Sequence, residues 1–236
     1  MTATVLVHGG GFDARCWDEL VPLLDGTVLA VDLPGRGSRP AALVDLTLDD
    51  FADAVVRDIV DRDLTDVLLV GHSLAGCTLP LVADRVPERL ARLVFVSSTV
   101  PRDGQSVIDT LDPAIQELAR SAAGTEPEAT MPPELAEALF CNDMTDAQIR
   151  STLDRLVPEA PGVVTEPVRL AGLTHGTPRT YVKLRRDAIL VPDKQDVMIA
   201  NIGGPDDVEV VELDAAHMAM ISTPQDLADA LAGRRG

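Results

Sequence analysis

The sequence predicts an α/β fold with a mostly parallel central sheet and helices on both faces. Three observations carry that prediction. Short, continuous apolar runs rich in valine and leucine recur along the chain, as buried strands of a parallel sheet require. Stretches with helical spacing lie between those runs, so strand and helix alternate. The alternation stops once, over residues 101–175, and then resumes.

Taken in order, residues 5–7, 28–31, 67–70, 93–96, 180–184 and 208–213 read as strands. Residues 17–24, 48–61, 74–85, 194–202 and 224–231 read as the intervening helices. Within 48–61, Phe51, Val55, Ile59 and Val60 fall on one stripe aimed at the sheet. Thr47, followed three positions later by Asp50, is a helix start close to a capping box. Pro80 falls inside 74–85, where its missing amide predicts a kink. Residues 101–175 are acid-rich, with amphipathic pieces at 108–119, 133–140 and 146–156 between Pro- and Gly-rich joints. They read as a helical cap inserted into a core formed by residues 1–100 and 176–236.

The totals exclude several classes of partner. A formal net charge of −18 argues against nucleic acid and against an anionic membrane surface. No apolar run approaches the roughly 18 residues of a membrane span. Cys16, Cys77 and Cys141 are too few and too scattered for a disulfide framework or a zinc site, and read as reduced thiols in a cytoplasmic protein. No metal and no cofactor is expected. The partner is a small-molecule substrate, and the chain is expected to be a monomer or homodimer.

The chemistry concentrates in "LLVGHSLAGCTLP", residues 68–80. A Gly-x-Ser turn, Gly71 to Ser73, straight after an apolar run looks like the start of a nucleophile elbow. Ser73 is weak unless a base takes its proton and an acid holds that base. The partners follow in the order serine, acid, histidine, which removes His8 and His72. His217 follows the last strand and is preferred over His175, which precedes the fifth. Asp187 follows the fifth strand and is preferred over Asp193, Asp196, Asp206 and Asp207. The oxyanion donors are the amides of Leu74, at a helix start, and Gly10, in "LVHGGGF" after the first strand. Gly11, Phe12 and Met218 are expected to contact the substrate. Asp32, in "VDLPGRG", reads as an acceptor for loop amides.

Together, "VLVHGGGFDARCW", "VDLPGRG", "GHSLAG", "RTYVKLRRDAILVP" and "AAHMAMISTPQDL" resemble the α/β-hydrolase superfamily. More narrowly they resemble the group of plant methylesterases and hydroxynitrile lyases with its bacterial relatives. The resemblance spans nearly all of the chain outside residues 101–175. It implies Ser73, Asp187 and His217 as the triad and Gly10 and Leu74 as the oxyanion positions. The best-known lyases of that group carry threonine and lysine where this chain has Gly9 and Met218, so the resemblance favours ester hydrolysis. Ala75 departs from the elbow pattern, whose glycine comes one residue later, at Gly76. The expected activity is cleavage of a small or apolar carboxylic ester, methyl ester or lactone through an acyl-enzyme. The alternatives are an elimination or cyclisation run by the same triad, and a ligand receptor with slow turnover. Leu118, Met131, Leu135, Leu139, Phe140 and Met144 are expected to make the pocket apolar.

Overall fold

The computed structural model describes residues 3–114, 116–117 and 130–234. The six apolar runs become β1 (Ala3–Val7), β2 (Thr27–Val31), β3 (Val67–His72), β4 (Leu90–Val96), β5 (Arg179–Leu184) and β6 (Val208–Leu213). They form one sheet in the order β2-β1-β3-β4-β5-β6, and every neighbouring pair is parallel. The chain leaves β1 toward β2 and then crosses back to β3. The loops at the carboxyl ends of β1 and β3 therefore flank the point where the winding reverses, the place such sheets use for ligands.

Burial follows the period of the strands. Val5, Val7, Leu69, Phe95 and Tyr181 point into one apolar cluster, shared with Phe51, Val55 and Ile59 of α1 (Leu48–Asp61). That cluster also takes Leu81 and Val82 of α2 (Leu79–Arg85), with Met198 and Ile199 of the helix Pro192–Asn201. The alternate residues Leu6, Leu68, Val70, Val94 and Val182 point to the other face, against Trp17 and against Leu227 and Leu231 of the helix Pro224–Ala232. Thr47 caps α1 as expected, its side chain accepting the Asp50 amide while Asp50 accepts the Thr47 amide. Val60, expected on the buried stripe, is instead 42% exposed.

Two helices differ from expectation because of prolines. Residues 17–24 form two 3₁₀ turns, Ala14–Trp17 and Val21–Leu23, with Pro22 opening the second. The helix expected at 74–85 is split rather than kinked. Ser73–Cys77 is a 3₁₀ turn and α2 starts afresh at Leu79, which puts Pro80 in the first turn, where its missing amide costs nothing.

Between β4 and β5 stand α3 (Pro133–Phe140), α4 (Asp146–Leu153) and α5 (Pro161–Thr165). Of the piece expected at 108–119, the described residues include only a 3₁₀ turn at Ile108–Thr110 and a short helical stretch from 113, and residues 115, 118 and 119 lie outside them. The end of this segment packs on the sheet's own helices: at Gly172 a side-chain carbon would fall 1.9 Å from the Pro80 carbonyl oxygen. Among the described residues no helix is long and apolar enough to cross a membrane, and no cluster of side chains could hold a metal ion.

Candidate active site

β3 delivers Ser73 on a sharp turn. Its φ is 52°, a conformation that costs a non-glycine residue free energy and that recurs at functional turns. The surroundings must be thin for the backbone to turn here. A side-chain carbon on Gly9 would lie 2.9 Å from Ser73 Cβ, so the loop after β1 can approach the serine only as glycine. Gly76 plays the matching part on the other side, where the same carbon would lie 2.5 Å from the Thr99 carbonyl oxygen. Ala75 keeps its methyl buried, and the glycine that the turn needs is therefore the residue after it.

Three side chains from three strand ends meet at Ser73. His217, on the loop after β6, places Nε2 3.0 Å from Ser73 Oγ. Its Nδ1 lies 2.6 Å from Oδ2 of Asp187, on the loop after β5. An ionised carboxylate only accepts, so Nδ1 carries the proton and Nε2 is free to accept from the serine hydroxyl. Asp187 also receives the Ser97 hydroxyl at 2.6 Å and the amides of Ile189 and Leu190 at 2.8 and 2.9 Å. Burial pushes its pKa up, but the His217 imidazole, the Ser97 hydroxyl and the Leu190 amide outweigh burial and hold it below the ordinary carboxylate value.

His72 packs against His217 from behind. Its Nε2 donates to the His217 carbonyl oxygen at 2.9 Å, and the two rings lie 4.6 Å apart. Burial, followed by the neighbouring His217, pushes the His72 pKa well down, so no second cation stands beside His217. His175, the rejected alternative, pairs with Asp84 at 3.0 Å, away from this chain of bonds. Of the rejected acids, Asp196 pairs with Lys183. Asp32 has the structural part expected of it, accepting from the Ala14 amide and from Ser38.

Ser73 and His217 open into a cavity of about 440 Å³. Gly10, Gly11 and Leu74 line it beside the serine. Its apolar wall comes from Met131, Leu139, Phe140, Leu156 and Val164, all between β4 and β5. The expected pocket residues thus divide. Met131, Leu139 and Phe140 face the cavity, Leu135 is 48% exposed on the surface, Met144 packs on the sheet's second apolar cluster, and Leu118 lies outside the described residues.

Two expected contacts need correction. Phe12 and Met218 are buried in the core and do not line the cavity. Phe12 meets Phe140 edge-on, with ring centroids 5.2 Å apart, so it supports the wall rather than forming it. Met218 is fully enclosed among apolar neighbours, which turns the comparison with a lysine at this position into a question of core stability.

Sequence reasoning did not find Glu159. Its carboxylate stands on the cavity wall, accepts the Gly11 amide at 3.1 Å, and pairs with the guanidinium of Arg36. Val157, two residues earlier, donates its amide to the Gly11 carbonyl oxygen at 2.9 Å. The available signal was Arg36 itself, a glycine-flanked cation in "VDLPGRG".

The chain is similar to known proteins over nearly its whole length. The family described as "Alpha/beta hydrolase family" matches residues 4–230. Methylesterase 9 of Arabidopsis thaliana is 30% identical over 96% of this chain and 95% of its own length. The solved extracellular alpha/beta-hydrolase from a Paenibacillus species, described as sharing structural and functional homology with tobacco salicylic acid binding protein 2, superposes with a TM-score of 0.87 at 26% identity. It covers 99% of both chains. Polyneuridine aldehyde esterase shares the fold, with a TM-score of 0.78 at 21% identity, over 99% of this chain and 98% of its own.

Proposed function

The chain belongs to the alpha/beta hydrolase family, and from that membership we propose that it hydrolyses a carboxylic ester through an acyl-enzyme formed on Ser73. The observation that carries the reading is the unbroken run of hydrogen bonds from Asp187 through His217 to Ser73 at the mouth of an apolar cavity. The names of the methylesterase relatives put methyl esters among the substrates to try first.

In this reading Ser73 Oγ attacks the ester carbonyl as His217 Nε2 takes its proton. Asp187 stabilises the imidazolium and keeps the ring in register. The amides of Gly10 and Leu74 hold the oxyanion. Collapse expels the alcohol, which leaves with the proton from His217. Water then repeats the sequence on the acyl-enzyme and releases the acid. Residues 101–175 act as a cap over a core of residues 1–100 and 176–236, and that cap selects the substrate. The lining by Met131, Leu139 and Phe140 supports the cap reading. Three buried, unpaired cysteines support a cytoplasmic location.

The test is a panel of short-chain aryl esters and natural methyl esters turned over in ¹⁸O-labelled water. Hydrolysis puts one solvent oxygen into the acid, and Ser73→Ala is expected to lower kcat by about 10⁴–10⁶ with KM nearly unchanged. A product without label would mean elimination or cyclisation. A single acyl burst without turnover would mean a receptor. Full activity in Ser73→Ala would end the reading.

A further inference from the structure

A carboxylate beside an expected oxyanion site is out of place, because it repels the charge that must develop there. Glu159 stands in that position: its Oε2 would lie 2.9 Å from a side-chain carbon placed on Gly10. Three donors hold it. They are the Gly11 amide at 3.1 Å, its neighbour's amide at Ala160 at 2.7 Å, and the Arg36 guanidinium.

Arg36 is the other half of the feature. Its side chain is fully enclosed, with the guanidinium over the Phe51 ring at 4.9 Å and a further bond to the Pro34 carbonyl oxygen. Burial lowers its pKa to about 10, so it remains a cation at neutral pH. Its Nε is buried with no hydrogen-bond partner among the described residues. A buried cation needs its counterion. Here that counterion is the residue that faces the substrate, being 23% exposed where Arg36 is not exposed at all.

We propose that Glu159 determines specificity: with Arg36 neutralising it from behind, its carboxylate admits esters that are neutral or cationic and rejects those carrying a negative charge near the carbonyl. The inference rests on the ester-hydrolase reading and names the substrate class within it. Among the described residues the rest of the wall adds nothing ionic, since those that line the cavity with Glu159 are apolar apart from Ser73, Thr99 and His217. An anionic substrate would have to approach one fixed negative charge in a cavity to which the described residues contribute no exposed cation. Without the Glu159 charge, the same substrate would meet the uncompensated field of Arg36.

The experiment compares kcat/KM for matched esters in the native enzyme and in Glu159→Gln. Glutamine removes the charge and keeps one acceptor oxygen for the Gly11 amide, while its NH2 group takes the place of the oxygen that accepts from Arg36 and Ala160. On the acyl side the pair is 4-nitrophenyl butyrate and 4-nitrophenyl hemisuccinate, and on the alcohol side phenyl acetate and its 4-carboxylate. The native enzyme is expected to prefer the neutral member of at least one pair by 10-fold or more. Glu159→Gln is expected to shrink that preference by about 10-fold. Each ratio is taken within one protein, so a smaller folded fraction in the variant cancels. Ratios unchanged by Glu159→Gln on both sides would overturn the proposal while leaving ester hydrolysis intact. Failure of the native enzyme to cleave any neutral ester would instead overturn the hydrolase reading itself.

Discussion

Behind one wall of the cavity, four donors converge on the buried Asp187, and all four come from loops that follow β4, β5 and β6. On another wall, both backbone groups of Gly11 are held by Val157 and Glu159, from the segment between β4 and β5. The run of hydrogen bonds from Asp187 to Ser73 is therefore fixed by the sheet and its own loops. The glycine loop after β1 is held partly by the segment between β4 and β5, which also supplies much of the apolar lining. Under the proposed function, that division gives rate and selectivity separate supports. Changes around Asp187 should slow every substrate alike, whereas changes around Gly11 should alter which substrate is taken.

The largest expected effect tests the first wall. Asp187→Asn leaves the shape of the side chain but presents an amide to His217 Nδ1, which stabilises the wrong tautomer and removes the countercharge to the imidazolium. A fall in kcat of about 10⁴ is expected, with the neutral-to-anionic preference unchanged. If that preference moved as far as the rate, the two walls would not be independent.

A smaller effect, read in stability, tests what lies behind the second wall. His8 begins the glycine loop, accepts the Leu33 amide on Nε2 and meets the Gly9 carbonyl oxygen with Nδ1. Burial, and then the charge of Arg36, lower its pKa from 6.5 to about 4. The unfolded chain takes up a proton near pH 6.5 and the folded one does not. The stability that His8 contributes is thus complete above that pH and is lost as pH falls toward about 4. Between pH 7 and pH 5 the loss is on the order of 2 kcal/mol. Urea unfolding at both values should show it, and His8→Gln should flatten the difference. His72, buried and neutral in the same sense, should leave part of the slope in place. An unchanged slope in His8→Gln would show that His8 is protonated in the folded protein.

Legibility in the sequence follows the same division. All six strands were readable: the inner ones are continuous apolar runs, as burial on both faces requires, and the edge strands β2 and β6 show by their short valine- and leucine-rich pattern although they are less buried. Ser73, Asp187 and His217 could be selected because each lies shortly after such a run and the order of the strands limits the choices, and the structure joins the three by hydrogen bonds. Glu159 was not readable. It lies in "VPEAPG", between two prolines, with no periodicity to place it, and only the packing of that turn against Gly11 gives it a task. Arg36 was visible beside Asp32, but nothing in the spacing said that its side chain would be buried. Phe12 and Met218 failed in the opposite sense: adjacency to a functional residue along a turn does not fix the direction of a side chain.

The smallest expected effect sharpens the account of the first wall, since it removes one donor of the four. Ser97 is buried at the end of β4 and gives its hydroxyl to Asp187 Oδ2, the oxygen that also binds His217. Its φ of 36° is carried equally by serine and alanine, so Ser97→Ala adds no new backbone strain. Oδ1 keeps both amides, and the carboxylate stays in place. What is lost is one hydrogen bond to a charged group, which corresponds to about a 10-fold fall in kcat. That bond favours the ionised form, so its removal raises the Asp187 pKa. The acid-side fall in activity should accordingly begin at higher pH than in the native enzyme. Ser98→Ala is the control, because Ser98 is equally buried yet donates to the carbonyl oxygens of Gly71 and Val96 and does not touch Asp187. An acid limb displaced by Ser97→Ala and not by Ser98→Ala would assign the shift to the carboxylate. The same displacement in both variants would mean that the wall responds to general loosening of the β4 end, and that the four donors do not act on Asp187 individually.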